Sequence, residues 1–326
     1  MKTAAIIQSR MGSSRLPGKA LIDICGKPAL QRVIERLRAA KKLDDVIVAT
    51  TTNAADDAII SLCDELNCNH YRGSEEDVLS RVLETARAFD VDVIVEITAD
   101  CPLIDWNHVD ALVEMHINSD CDMTSNIVER SFPRGYDIRV FNREALERVN
   151  QECDNAIDRQ HVSTWMYLNP KGKANYTVQN WKAPPDQNRP DLDITLDTPE
   201  DLELIKWLYS FEKQGYNLSN GLDCREVINL IDHYPGQYEK VARVQRKDYF
   251  IELFEVCGCG SVFALQNMEW ADDPHGNGTI EAIANIEQAV LNGTPTKKAK
   301  PVGILNKPKG AKKQDEPKKR VRKKKI

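Results

Sequence analysis

Residues Gln8-Ser9-Arg10-Met11-Gly12-Ser13-Ser14-Arg15-Leu16-Pro17-Gly18-Lys19 gather three cations, three hydroxyls and two glycines in one short stretch. They follow an apolar run, Ala4-Ala5-Ile6-Ile7, that predicts a first buried strand. Loops at the carboxyl ends of strands are where open α/β sheets bind ligands. Backbone N–H groups exposed by glycines, with Arg and Lys beside them, suit a polyphosphate. The stretch is not a Walker A loop: five residues separate Gly12 from Gly18, and Ala20 follows Lys19. It is not a G-x-G-x-x-G turn either, so no nicotinamide cofactor is indicated. A solvated basic loop is the plainer alternative. Two aspartates stand in matching positions further on. Val93-Ile94-Val95-Glu96-Ile97-Thr98-Ala99-Asp100 and Leu192-Asp193-Ile194-Thr195-Leu196-Asp197 are apolar runs that end in a carboxylate shortly before a proline. On parallel strands of one sheet, Asp100 and Asp197 emerge at the same edge as the cationic loop. Mg²⁺ takes one or two carboxylates and completes its shell with phosphate oxygens and water. Taken singly, Asp100 is equally a turn former, and Asp197 a residue ahead of a capped helix.

The elements that must position these groups are legible from periodicity. Apolar residues at 30, 33, 34 and 37 predict a helix over 28–40, and residues 46–50 a buried strand. Ile59, Ile60 and Cys63 predict a helix over 56–66. Ser74-Glu75-Glu76-Asp77 reads as a capping-box-like start, followed by the stripe Val78, Leu79, Val82, Leu83 and Ala86. A strand over 93–98 and a helix over 109–117 continue the alternation. This rhythm predicts an α/β fold with a mostly parallel sheet and helices on both faces. Further strands are expected over 137–141, 176–179 and 192–196, and helices over 143–153 and 161–168. Thr198 as N-cap, Pro199 at the first helical position and Asp201 closing a capping box begin a last helix. The main domain is therefore placed at 1–213. From 214 to 296 the signals weaken to an extension of unknown role, with a helix over 280–291 and a strand or helix over 249–256. Residues 297–326 are rich in Lys, Pro and Gly, and disorder is expected there.

Composition narrows the class. The chain has 326 residues, 41% hydrophobic and 29% charged, as in a globular protein. It contains no apolar run long enough to span a membrane. Residues 4–7 are too short for a signal-peptide core, so a cytoplasmic location is the default expectation. Nine cysteines, an odd count, mostly lie in apolar-periodic segments and read as buried thiols rather than a disulfide framework. Cys257-Gly258-Cys259 lacks the paired C-x-x-C spacing of metal sites. The net charge of −6 hides an asymmetry: from Lys297 onward there are 14 Lys/Arg against 2 Asp/Glu, leaving 30 basic and 48 acidic residues in the rest.

With these residues in view, the segment from Ile6 to Lys19 resembles the signature of cytidylyltransferases that activate acidic sugars, the CMP-Kdo and CMP-acylneuraminate synthetases. The nearest branch is the one named spore coat polysaccharide biosynthesis protein F-like. Five further segments resemble that branch in the same order: Ala49-Thr50-Thr51, Arg72-Gly73-Ser74-Glu75-Glu76-Asp77-Val78-Leu79, Thr98-Ala99-Asp100-Cys101-Pro102-Leu103-Ile104, Phe132-Pro133-Arg134-Gly135 and Leu196-Asp197-Thr198-Pro199-Glu200-Asp201-Leu202. The resemblance covers residues 3–212. It implies a Rossmann-like nucleotidyltransferase fold of the GT-A-like kind and transfer of CMP from CTP. Position by position, it implies that Gln8, Arg10, Gly12, Ser13, Arg15 and Lys19 hold the nucleotide. It places Arg72, Ser74 and Asp77 near base and ribose, and Asp100 and Asp197 on Mg²⁺. The branch shows Arg-Glu-His-Val-Thr where this chain has Arg159-Gln160-His161-Val162-Ser163. An amide thus replaces a carboxylate, which bears on the acceptor. Arg134, Arg159 and His161 are the acceptor-site candidates. Arg134 is alternatively an exposed loop arginine, and His161 a satisfied helix-face histidine.

The implied reaction is attack of an acceptor hydroxyl on the α-phosphorus of CTP, with pyrophosphate leaving. Lys19, Arg15, Asp100 and Asp197 are the residues expected to serve it, and a homodimer is the family expectation. Rival readings are transfer from another triphosphate or to a phosphorylated non-sugar acceptor, and a scaffold that kept the fold without the activity. A polyanion binder acting through the basic tail is a further rival. That tail has no aromatic residue for stacking, so its nucleic-acid binding would be non-specific.

Overall fold

A computed structural model of the chain describes residues 1–173, 175–211 and 221–244. The expectations for 249–256, 280–291, Cys257-Gly258-Cys259 and the basic tail lie outside the described residues. In chain order the first elements are β1 (Thr3–Gln8), β2 (Asp23–Ile24), β3 (Lys27–Pro28), α1 (Ala29–Leu37), β4 (Asp45–Thr51), α2 (Asp57–Glu65), β5 (Asn69–Gly73), α3 (Val78–Ala88), β6 (Val93–Thr98) and α4 (Trp106–Ile117). They are followed by β7 (Met123–Ser125), β8 (Arg139–Asn142), α5 (Arg143–Glu152), α6 (Ala156–Gln160), α7 (Thr164–Tyr167), α8 (Pro170–Lys173), β9 (Val178–Asn180), α9 (Pro199–Ser210), α10 (Cys224–His233) and α11 (Pro235–Ala242).

The apolar runs of β1, β4 and β6 are continuous because both faces of these strands are covered. Ala5, Ile7, Val48 and Val95 turn to one face, beneath α1, α2 and α4. Ala4, Ile6, Ile47 and Ile94 turn to the other, beneath α3 and α5. The main sheet has seven strands in the order β5-β4-β1-β6-β8-β7-β9. β5, β4, β1 and β6 pair in parallel, β8 is antiparallel to β6 and β7, and β9 is parallel to β7. This is the mostly parallel, Rossmann-like arrangement expected from the sequence. The chain moves from β1 outward to β4 and β5, then returns to add β6 on the other side of β1. A crevice opens at such a reversal, beyond the carboxyl ends of the strands.

Several local expectations are corrected. Ser74 does not cap a helix. Its Oγ accepts from the Asp77 N–H at 3.0 Å, and Asp77 caps α3 by accepting from the Ser80 N–H at 2.9 Å. The helix expected over 161–168 is broken, because Val162 has φ 56, in the left-handed region that a β-branched residue rarely adopts. Burying the Val162 side chain among the α3-face residues outweighs that strain. Residues 192–196 do not join the sheet. A single parallel bridge pairs Arg134 with Asp193. The amides of this stretch are satisfied by neighbouring loops: Arg134 N–H donates to Leu192 O and Ile194 N–H to Arg134 O, both at 2.9 Å. α10 and α11 lie where periodicity was weak. Their Val227, Ile228, Ile231 and Val241 share a third core cluster with Leu204 and Leu208 of α9.

Gly135 makes the contact between 132–135 and 192–196 possible. It has φ 107, and a Cβ there would lie 2.7 Å from Ile194 Cγ1 and 3.1 Å from the Ile194 carbonyl carbon. Gly135→Ala is therefore expected to lower unfolding stability by about 1–3 kcal/mol in denaturant titration. A variant as stable as the wild type would show that the loops separate at no cost.

Candidate active site

The crevice is a cleft of about 410 Å³ at the carboxyl ends of β1 and β6. Gln8, Ser9, Arg10, Gly12, Ser13 and Ser14 line it, as do Arg15, Lys19, Asp100 and Asp197. The loop is held at its start by Asp56, a buried carboxylate ahead of α2. Asp56 accepts from the Met11 N–H at 2.7 Å and from the Thr51 hydroxyl. The Ser13 hydroxyl belongs to the loop's own turn, accepting from the Leu16 N–H at 3.4 Å. Gly18 takes φ 68 and turns the chain so that Lys19 points back over the sheet edge.

The Lys19 ammonium joins the two aspartates. Nζ lies 2.9 Å from Asp100 Oδ2 and 2.8 Å from Asp197 Oδ1. Arg15 reaches the other oxygen of Asp197 at 3.1 Å. Burial works against the Lys19 charge, but Asp100 and Asp197 outweigh it and hold the ammonium above its ordinary pKa. Burial likewise opposes the Asp100 charge. Lys19 and the Thr98 hydroxyl, at 2.5 Å, hold that carboxyl below the usual range.

Asp197 reaches this place by a route different from the one its sequence suggested. It comes from the loop ahead of α9, not from a strand of the sheet. The Leu196 N–H donates to Asp100 O at 2.8 Å, which sets the two aspartates side by side. The capping box of α9 also holds the approach: Asp201 Oδ2 accepts from the Asp197 and Thr198 N–H groups at 3.0 and 2.8 Å.

Five candidates are not among the residues lining the cleft. Arg72 donates to Thr51 O at 2.8 Å and Asn53 O at 2.7 Å, and pairs with Asp57 at 2.6 Å. It therefore braces the end of β4. Ser74 and Asp77 form the turn into α3. Arg159 binds Asp77 Oδ2 at 2.9 and 2.6 Å and strands α6 to α3. Arg134 is half-exposed, with Nε 3.7 Å from Asp193. Gln160 and His161 do line the cleft.

Sequence reading missed Arg81, which lines this cleft, and Glu96, which braces a residue that does. Glu96 is buried in the middle of β6 and accepts from Gln8 Nε2 at 2.8 Å and from the Ser163 hydroxyl at 2.6 Å. It thereby joins the end of β1 to the turn that carries Gln160 and His161. Arg139 stands opposite Glu96 in the β6–β8 register. A charged residue inside an otherwise apolar strand was the available signal. Arg81, inside the apolar stripe of α3, carried the same signal and also lines the cleft.

The donor set suits a hard cation. Asp100 and Asp197 offer carboxylate oxygens side by side, while no group of three or more His, Cys, Asp or Glu among the described residues is arranged to hold a metal. A cation there must complete its shell from phosphate and water, as Mg²⁺ does. Among the described residues, Arg15 Nη1 and Ser9 Oγ are buried without a hydrogen-bond partner at the same cleft. Such donors suit an anion. No helix among the described residues is long and apolar enough to cross a membrane.

Residues 4–226 match the family model described as cytidylyltransferase. The chain is 31% identical over 236 residues to the spore coat polysaccharide biosynthesis protein SpsF of Bacillus subtilis (strain 168), spanning 71% of this chain and 94% of the relative. It is 36% identical over 181 residues to the 3-deoxy-manno-octulosonate cytidylyltransferase of Geobacter metallireducens, spanning 50% of this chain and 69% of the relative. Its fold is similar to a solved cytidylyltransferase from Leptospira borgpetersenii, with a TM-score of 0.67, 28% identity and coverage of 76% and 100% of the two chains.

A charge pair outside the residues that line the cleft gives a pH test. Arg130 binds Asp137 through two bonds of 2.9 and 2.8 Å. Burial opposes the Asp137 charge, but Arg130 and Arg139 hold its carboxyl below the usual range. A carboxylate with a depressed folded pKa stabilises the fold above its unfolded value of about 3.9, and that contribution is lost as pH falls through the folded value. Asp137→Asn is therefore expected to reduce stability at neutral pH and to flatten the acid loss below about pH 4. Denaturant unfolding across that range reads both effects. Parallel acid profiles for the two proteins would remove this pair from the account.

Proposed function

The chain belongs to the cytidylyltransferase family, and from that premise we propose that it transfers CMP from CTP to a hydroxyl of an acidic sugar, of the 2-keto sugar acid class. The observation that carries the reading is the Lys19 ammonium shared between Asp100 and Asp197 beside Arg15. That is a charge centre suited to a triphosphate and a divalent cation. The acceptor class follows the relative named for 3-deoxy-manno-octulosonate. The relative named for spore coat polysaccharide biosynthesis supports a place in the synthesis of surface-polysaccharide precursors.

In this reaction the acceptor oxygen forms a bond to the α-phosphorus in line with the bond to the bridging oxygen, which breaks. Pyrophosphate leaves and the hydroxyl gives up its proton. His161, which lines the cleft, is the group assigned to receive it. Arg10, Arg15 and Lys19 hold the phosphates, and the Lys19 and Arg15 charges oppose the charge that builds on the α- and β-phosphate oxygens. Mg²⁺ held by Asp100 and Asp197 would, when bound, neutralise phosphate charge as a Lewis acid. The Gln8 and Ser163 contacts to Glu96 keep the β1 end and the His161 turn in place, so the acceptor meets a fixed wall.

The decisive experiment is a pyrophosphate-release screen that crosses the four nucleoside triphosphates with 2-keto sugar acids and sugar phosphates, with and without Mg²⁺. CTP with a 2-keto sugar acid and Mg²⁺ is the expected productive combination. Asp100→Asn, Asp197→Asn and Lys19→Ala are each expected to lower turnover by about 10²–10³-fold with the circular dichroism spectrum unchanged. A folded Asp197→Asn protein with wild-type turnover refutes the metal assignment.

A further inference from the structure

Arg81 has no part in the chemistry above, yet it lines the same cleft. It lies on α3 at 3% relative exposure. Nη1 donates to Ser74 O at 2.5 Å, whereas Nε has no hydrogen-bond partner among the described residues. Its stem is clamped against the end of β5. A Cβ on Gly73 would lie 2.8 Å from Arg81 Cγ and 3.2 Å from Arg81 Cα, so only glycine permits this approach. A buried guanidinium with an unsatisfied N–H costs free energy unless something else satisfies it. Burial and the nearby Arg10 lower its pKa to about 10, which leaves it charged at neutral pH.

Its stem stands on the β5 side of the cleft, away from Lys19 and Asp100. Lys19 and Asp100 sit at the end of β6, while Arg81 is pressed against Gly73 at the end of β5. In the order β5-β4-β1-β6 these strands are three spacings apart, about 14 Å. The cleft wall near Arg81 also carries Glu75 and Val78. Glu75 Oε1 lies 3.5 Å from Arg10 Nη1 and 3.7 Å from where a Cβ on Gly12 would stand. The Glu75 charge is met by Arg10, and Val78 offers an apolar surface for a ring. This end suits a nucleobase.

The polar groups there discriminate between pyrimidines. Guanidinium only donates and carboxylate only accepts. Cytosine presents two acceptors, O2 and N3, beside the donor amine at C4. Uracil presents a donor N3–H and an acceptor at C4. We propose that Arg81, with Glu75, reads the Watson–Crick edge of cytosine and sets the preference for CTP over UTP. Arg81 donates to the ring acceptors and Glu75 accepts from the amine. Uracil turns its N3–H toward the guanidinium and its O4 toward the carboxylate, so both contacts become unfavourable. The proposal rests on the reading of this cleft as a nucleotide site. Arg72, at the position the family resemblance links with the base, is instead committed to Thr51, Asn53 and Asp57.

The test is equilibrium binding of CTP and UTP to the full chain by calorimetry, without acceptor, together with pyrophosphate release. The wild type is expected to favour CTP. In Arg81→Gln the CTP-to-UTP affinity ratio is expected to fall by about 10- to 100-fold, with CTP binding taking the loss. Glu75→Ala, which alters a half-exposed side chain, is expected to lower the same ratio and serves as the measure should Arg81→Gln not fold. Equal losses for both nucleotides in Arg81→Gln would show a purely structural arginine and overturn the proposal. So would a wild-type ratio retained in a folded Arg81→Gln or, failing that, in Glu75→Ala. A wild type that binds CTP selectively but releases no pyrophosphate with any sugar acid would sink the proposed function while leaving the base-reading assignment standing. A wild type that turns over CTP and UTP alike would do the reverse.

Discussion

Lys19 places one positive charge between two carboxylates that come from distant parts of the sequence, one after β6 and one ahead of α9. Asp100 and Asp197 stand side by side because the Leu196 amide is bonded to the Asp100 carbonyl. Two like charges so placed repel each other, and in a partly buried site that repulsion is strong. The shared ammonium converts repulsion into attraction on both sides. Arg15 adds a second cation on the far oxygen of Asp197. The turn at Gly18 and the loop's anchor on Asp56 serve this arrangement, since both determine where Lys19 can reach.

The sheet supplies the common edge. Strands β5, β4, β1 and β6 run the same way, so their carboxyl ends and the loops that follow them open on one rim. The antiparallel β8 then brings Arg139 opposite Glu96, within a buried polar group that ties β1 to the His161 turn. Buried polar groups of this kind hold one geometry when satisfied and are costly when not. They fit a site that must keep a cleft wall still rather than one that must move.

The long residue-to-residue reach of the site explains the mixture of successes and misses. The phosphate-type loop, the two aspartates and the capping box of α9 were legible because each is a short pattern with a local physical cause. The break at 161–163 was not, because its cause is the burial of Val162 under α3 and the bond from Ser163 to Glu96, 67 residues away. Residues 192–196 alternate like a strand, yet they pair with the loop around Arg134 in place of a sheet neighbour. Arg72, Asp77 and Arg159 looked like ligand groups from their motif, and the structure engages each with protein partners outside the residues that line the cleft.

From sequence alone came the alternation of β1, α1, β4, α2, α3, β6 and α4, the burial of both sheet faces, the cationic loop and the two carboxylates. These follow from short continuous apolar runs, from the helical period of 3.6 residues and from turn chemistry acting over a few positions. Tertiary structure alone decided that Lys19 meets Asp197 across 178 residues of chain, that Glu96 locks Gln8 to Ser163, and that Arg81 faces the cleft beside Gly73. The reason is physical. Hydrophobic patterning states which side of an element is buried, but not which partner a buried charge will find. That partner is chosen only when packing brings distant segments within hydrogen-bonding distance.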